Sequence, residues 1–323
     1  MKGYITKRIL LIIPVLLGIT ILTFAIMHLA PGEFTKTTMR METKASPGAV
    51  NKLRELYGLD KPVHIQYLSW LKRVFTLDFG RSFIDGRPVL EKIGERLPAT
   101  ILLNVCAIGV IYTLSLLIGV FAALRRNRGF DKATTVITFA GYSIPDFWLA
   151  LLLMLFFGVN LGILPISGMK SVNYEYFSPF GKFIDIIKHL ILPVFVTAFT
   201  GLASMTRYVK SSMVETLSQQ YIKAAYAKGL PEHTIIFKSA LKNSLLPVIT
   251  ILGFALPGII GGSFIFEVIF SWPGMGRLSY EAIMSFDYPV VMGGITIAAF
   301  LTITGNLLAD ITYALVDPRI RYK

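Results

Sequence analysis

With 323 residues, 54% of them hydrophobic and only 16% charged, and a mean hydropathy of +0.63, the chain is too apolar for an ordinary soluble enzyme or a disordered protein. It reads as an all-α integral membrane protein. A net charge of +13 would suit a nucleic-acid partner, but cytoplasmic loops of membrane proteins carry excess Lys and Arg, so the lipid bilayer is the expected partner and no nucleic acid is.

Six runs approach or exceed the roughly 20 residues that a helix needs to cross a bilayer. They lie at 9–29, 99–124, 134–159, 187–206, 246–269 and 289–315. The first follows Lys2, Lys7 and Arg8 as a signal peptide would. Its apolar stretch is longer than a signal core and His28-Leu29-Ala30 lacks a small-x-small cleavage pattern, so a retained helix is expected. The single cysteine, Cys106, falls inside the second run. No intrachain disulfide or Cys-based metal cluster is available to it, and simple packing is expected.

The long loop 31–98 carries two amphipathic patterns. Val50, Leu53, Leu56 and Tyr57 share one helical face, and Tyr67, Leu68, Leu71 and Phe75 share another. They predict short helices over the outer mouth or on lipid headgroups. Orientation follows from the shorter loops. Arg125, Arg126, Arg128 and Lys132, then Arg207, Lys210, Lys223, Lys228, Lys238 and Lys242, then Arg319, Arg321 and Lys323 all fall on the N-terminal side of six crossings. Both termini are therefore expected in the cytoplasm. The cations of loop 31–98 oppose this, but the rule weakens for loops beyond about 60 residues.

Within the membrane-spanning region, ionisable and aromatic residues at special positions are functional suspects. Asp146 follows Pro145, either lining or gating a path or capping a helix broken at the proline. Glu267 lies near the outer end of the fifth run, where hydration or a local ion pair is expected. Residues 271–289 open with turn formers and continue as a short helix at 278–285, either an ordinary outer turn or an outer lip of a pathway with Trp272 and Tyr280 at interface depth.

Residues 215–247 form a polar, basic island between apolar runs. Tyr221 to Lys228 are good helix formers, Gly229 is placed to end that helix in a left-handed cap, and Pro231 suits the first turn of another. Pro247 is expected to mark the boundary with the next crossing. Two helices joined by a tight elbow are predicted, in the position to receive a driving force. No catalytic set assembles: the chain has no HExxH pair, no GxxxxGK[ST] phosphate loop and no GxSxG elbow.

Several stretches, in order, resemble the first of the two paired permeases of dipeptide, oligopeptide and nickel ATP-binding-cassette importers. They are LGLDKPVHIQYLSWL, LDFGRSF with GRPVLEKIGERLPAT, SIPDFWLALLL, LGILPISG, YIKAAYAKGL with ALKNSLLPVIT, FSWPGMGRL, DYPVV and ALVDPRIRY. The resemblance implies a type I importer permease fold of six transmembrane helices with a helical extracellular loop after the first. It divides the chain into 1–30, the outer loop 31–98, a five-helix core 99–315 with coupling helices 215–247, and a tail 316–323. It implies a homologous second permease, two ATPase subunits and an external solute-binding protein as partners. ATP and Mg would be bound by the ATPases and no cofactor by this chain. Lys223-Ala224-Ala225 stand at the Glu-Ala-Ala positions of the family's coupling loop, and Tyr221, Lys228, Gly229, Leu230 and Pro231 complete the expected docking set. Lys223 replaces the namesake acid.

The resemblance implies a bacterial or archaeal cytoplasmic membrane and import of peptides, with nickel chelates, glutathione or oligosaccharides as alternatives. Two other classes remain. An ion-coupled secondary transporter should show internal repeats and a polar site at broken helices, and a membrane-embedded enzyme should show convergent catalytic residues.

Overall fold

The computed structural model describes residues 2–29, 61–255, 258–261 and 263–316. The expected helix at 47–59 and the C-terminal cations lie outside the described residues. All regular structure among the described residues is helical. In order these are α1 (Lys2–Leu29), α2 (Val63–Phe75), α3 (Val89–Leu124), α4 (Gly129–Ser143), α5 (Asp146–Leu153, continued by a π-helical turn Met154–Asn160) and α6 (Pro179–Leu217). Then come α7 (Gln220–Ala227), α8 (Glu232–Thr234, running through a π-helical segment Ile235–Leu241 into α9, Lys242–Ala255), α10 (Gly258–Gly261), α11 (Phe264–Ile269), α12 (Met275–Met284) and α13 (Tyr288–Val316).

The central pair is α3 against α6; α4, α5, α9 and α11 pack on α6, α10, α12 and α13 on α3, and α1 on α13. These two helices have 36 and 39 residues, or about 54 and 58 Å at 1.5 Å per residue, against a hydrocarbon core of about 30 Å. Both therefore project beyond the bilayer, which the apolar runs 99–124 and 187–206 did not reveal because their ends are polar. Among the described residues four helical runs are long and apolar enough to cross: α3, α6, Glu232–Gly253 and Tyr288–Ala309 of α13. The pair α4 and α5 adds a fifth if taken as one broken span, and Leu10–Ile26 is a shorter apolar stretch within α1.

Two predicted crossings differ in shape. The run 134–159 is bent by 101° between α4 and α5. Pro145 cannot continue the helical bonding, and Ile144 before it is driven into an extended conformation, φ −89° and ψ 122°. The fifth run starts well before 246: helix is continuous from Glu232 to Gly253, and Pro247 lies inside α9 rather than at a boundary. The π-helical segment one turn upstream and Asn243, whose Nδ2 donates to the Ser239 carbonyl at 2.8 Å, accommodate the irregular bonding.

Two of the clusters of buried side chains lie at opposite ends of the bundle. At one end Val120 and Ala123 of α3, Met205, Val209 and Met213 of α6, Ile222 and Ala225 of α7, and Ile235, Ile236 and Ala240 form one cluster. The basic loop Arg125–Lys132 and the elbow around Gly229 share this end. At the other end Phe79, Val89 and Ile93 pack with Met275, Leu278 and Ala282 of α12 and Val290 and Val291 of α13. Helix α2 lies on α1 through Trp70 and Tyr67, whose rings are 6.2 and 5.4 Å from that of Phe24. Its inward residues are Trp70 with the half-buried Tyr67, Leu71 and Val74, while Leu68 and Phe75, expected on the packed face, are exposed.

Candidate functional site

The elbow forms as its residues dictate. Helix α7 ends with Lys228 N–H donating to the Ala224 carbonyl at 3.1 Å, Gly229 N–H to Tyr226 at 3.0 Å and Leu230 N–H to Ala225 at 3.3 Å. Gly229 has φ +74°, the left-handed conformation that glycine adopts without a Cβ penalty. Pro231 stands one position earlier than expected, at the cap, with φ −64°. Tyr221 and Asn243 brace α7 against α9, with Asn243 Nδ2 donating to the Tyr221 hydroxyl at 3.0 Å, and Ser212 of α6 donates to the Ser244 carbonyl at 2.9 Å.

The docking candidates divide into two faces. Tyr221, Lys223, Ala224, Lys228, Gly229, Leu230 and Pro231 are exposed, and Tyr226 and Phe237 extend the same apolar surface. Ala225 is not part of it. At 8% exposure it lies with Ile222 in the cluster beneath α7, so its small size serves the packing of α7 on the Ile235–Leu241 segment rather than access for a partner. Lys223, Lys228, Lys238 and Lys242 have no ion-pair partner among the described residues. The opposite end differs: Arg87 pairs with Glu91 and Glu95, Lys92 with Asp85, Lys182 with Glu175 and Arg277 with Glu281. Its hydrogen bond to Lys92 holds the Asp85 carboxyl at about 2, below its ordinary value.

At that opposite end, motifs far apart in sequence meet. The Asp287 carboxylate accepts from the Ser82 hydroxyl and from Phe83 N–H at 3.0 Å, with Lys92 Nζ 3.9 Å away. This ties the LDFGRSF loop to the start of α13. The nearby Gly293 allows a close crossing, since a Cβ there would stand 2.7 Å from Val89 Cγ1.

Glu267 is not a hydrated or cation-paired surface acid. Its side chain is fully buried: Oε1 accepts from the Thr100 hydroxyl at 2.8 Å and Oε2 from Arg277 N–H at 3.0 Å in the first turn of α12. Thr100 in turn accepts from Met275 N–H at 2.7 Å. A carboxylate at a helix N-terminus is favoured by the unsatisfied N–H groups there. Gly274 makes the approach possible, because a Cβ at that residue would lie 2.5 Å from the carboxylate. Trp272 is also fully buried, and its Nε1 donates to the Ala99 carbonyl at 2.8 Å. It anchors the turn against α3 and is not an exposed lip. The glycines of SWPGMGRL next to Glu267 were the only sequence signal of this network.

Asp146 opens α5 at the 101° bend, half-buried, and accepts from the Thr200 hydroxyl of α6 at 2.5 Å. It makes no bond that caps the free N–H groups of α5. One turn before it, the Tyr142 hydroxyl donates to Ser204 Oγ at 3.0 Å. Lower on the same pair of helices, Lys210 of α6 pairs with the buried Asp131 of α4, which also accepts Asn127 N–H at 2.9 Å. The broken span packs on the segment that carries Glu267, through Ala150 and Phe270, but no contact joins Asp146, Trp272 and the docking set among the described residues.

Residues 115–322 match the family described as "Binding-protein-dependent transport system inner membrane component", and residues 1–104 match the corresponding N-terminal model. The chain is 45% identical over 323 residues to the oligopeptide transport system permease protein AppB of Bacillus subtilis. It is 38% identical over 335 aligned positions to the dipeptide transport system permease protein DppB of Alkalihalophilus pseudofirmus, and 37% over 339 to that of Escherichia coli K12. Each alignment covers 100% of both chains.

Proposed function

The chain belongs to the family of inner membrane components of binding-protein-dependent transport systems, and on that premise we propose that it is the permease subunit of an ATP-driven peptide importer. The observation that carries this reading is the end-to-end similarity to permeases named for oligopeptide and dipeptide transport. The chain is a membrane component and not the catalytic subunit; ATP and Mg are bound by two separate ATPase subunits. A homologous second permease completes the path, and an external binding protein delivers the peptide. The charge asymmetry supports a location in the cytoplasmic membrane with the elbow and both termini inside.

The coupling step follows from the two faces of the elbow. An ATPase cleft grips the exposed side, Tyr221, Ala224, Leu230 and their neighbours, while Ile222 and Ala225 hold the other side to the Ile235–Leu241 segment. Closure of the ATPase pair displaces a short rigid body that is joined at once to the end of α6 and to the continuous helix from Glu232. Tilting these two helices together opens the path to one side and shuts it to the other. Gly229 has the backbone that sets the elbow angle and nothing within 4 Å of where a Cβ would stand, so bulk there points toward the partner. In membrane vesicles holding the whole complex, Gly229→Trp should abolish ATP-driven peptide uptake while the permease remains in the membrane. Full uptake by that variant overturns the coupling role of the elbow.

A further inference from the structure

The face of α6 that meets α4 and α5 is polar through the membrane-spanning region. Thr197, Thr200, Ser204, Arg207 and Lys210 recur at intervals of three and four residues, so they form one stripe. Thr200 bonds Asp146, Ser204 bonds Tyr142, and Lys210 contacts Thr135 and Asp131 from the facing helix. Between the two helices lies a cavity of about 130 Å³ that Arg207 and Lys210 line with Thr134, Thr135, Thr138 and Tyr142, and that stops one turn short of Asp146. A helix wholly wrapped in lipid has no use for such a stripe, because polar groups there are costly unless they serve a cavity or a partner.

Two charges at this stripe, Asp146 of α5 and Arg207 of α6, have no opposite charge among the described residues. Asp146 has only the Thr200 hydroxyl and no cation among the described residues. Arg207 is exposed at the cavity and has no carboxylate among the described residues, whereas Lys210 one turn below is neutralised by Asp131. The Thr197 hydroxyl oxygen, one turn above Thr200, is buried without a partner among the described residues. The acid therefore stands at the bend of the broken span and the free cation lies toward the elbow.

We propose that this stripe is a transit site for zwitterionic peptides, with Asp146 receiving the ammonium end and Arg207 the carboxylate end. The reading rests on the peptide-importer function above and adds to it the recognition chemistry. The spacing fits. Thr200, which holds Asp146, and Arg207 are seven residues apart, about 10 Å along a helix. An extended di- or tripeptide covers about 7–10 Å at 3.3–3.6 Å per residue. The hydroxyls between the two charges already donate within the protein, and their oxygens offer acceptors to the N–H groups of any peptide backbone without reading its side chains. That suits a path that passes many sequences.

The test uses the assembled importer, with second permease, ATPases and binding protein, in proteoliposomes supplied with Ala-Ala and with Ala-Ala-Ala. Asp146→Asn and Arg207→Gln should each lower peptide taken up per ATP hydrolysed by about tenfold, the usual weight of one charge-assisted hydrogen bond. Asp146→Glu should restore much of the loss, and the thermal midpoint of the complex should stay within error in all three. Wild-type uptake in both neutral variants, with the wild type itself active, overturns the transit site and leaves the permease reading standing. A loss in Asp146→Asn accompanied by a lowered midpoint and not relieved by Glu assigns Asp146 to bracing the bend, and also overturns the proposal. Absence of ATP-driven uptake of either peptide by the wild-type complex overturns the permease reading itself.

Discussion

Replacing Glu267 by glutamine removes a charge while almost preserving shape. Thr100 accepts Met275 N–H at its oxygen and donates its proton to Glu267 Oε1. Oε2 takes Arg277 N–H. Both carboxyl oxygens are thus committed as acceptors, and an amide has only one: with its NH2 toward Arg277 N–H two donors meet, and with its NH2 toward Thr100 the hydroxyl loses the acceptor for its own proton. The loss of one charge-assisted bond in a site with no water access amounts to about 2–4 kcal/mol. Thr100→Val, which strands Met275 N–H and Oε1 together, should cost about 2–6 kcal/mol by the same reasoning. The measurement is the thermal midpoint of the purified importer, with a drop of at least about 5 °C expected for each variant. A Glu267→Gln complex that melts with the wild type would show that Oε1 or Oε2 already carries a proton and refute the double-acceptor arrangement.

Leucine at Ala225 must enter a filled cluster, costing about 1–3 kcal/mol and lowering the yield of assembled complex, whereas leucine at the exposed Ala224 should leave folding within about 0.5 kcal/mol and weaken retention of the ATPases in a pull-down. Equal behaviour of the two variants would contradict the two-faced elbow. The Asp85–Lys92 pair should be indifferent to pH between 5 and 8. With a folded value of about 2 against an ordinary 3.8, its contribution is complete above about pH 4 and disappears as pH falls through 2. Hydrogen exchange over residues 80–87 should therefore be faster in Asp85→Asn than in the wild type at pH 6, and the difference should close near pH 2; a gap that persists there would sink the ion pair.

Burial chemistry made much of this molecule legible in its residues. Long apolar runs report a bilayer because backbone groups in hydrocarbon must bond within their own helix, and the boundaries of α2 and α13 follow from local periodicity. The left-handed turn at Gly229 was readable for the same reason, since a single residue's backbone preference decides it. Helix ends beyond the lipid were not: residues 89–98 of α3 and 179–186 and 207–217 of α6 are more polar than the runs they extend and are held helical by their packing.

The sites depended on contacts between distant segments. Composition and order of motifs determined the class, the fold and the existence of the elbow. Only tertiary packing decided that Ala225 faces inward while Ala224 faces out, because adjacent positions on a helix point about 100° apart and the neighbouring helix selects between them. Glu267 met Thr100, and Asp287 met Ser82, across 167 and 205 residues. No local pattern encodes such pairings. They exist because a buried carboxylate must find its donors wherever the folded chain supplies them.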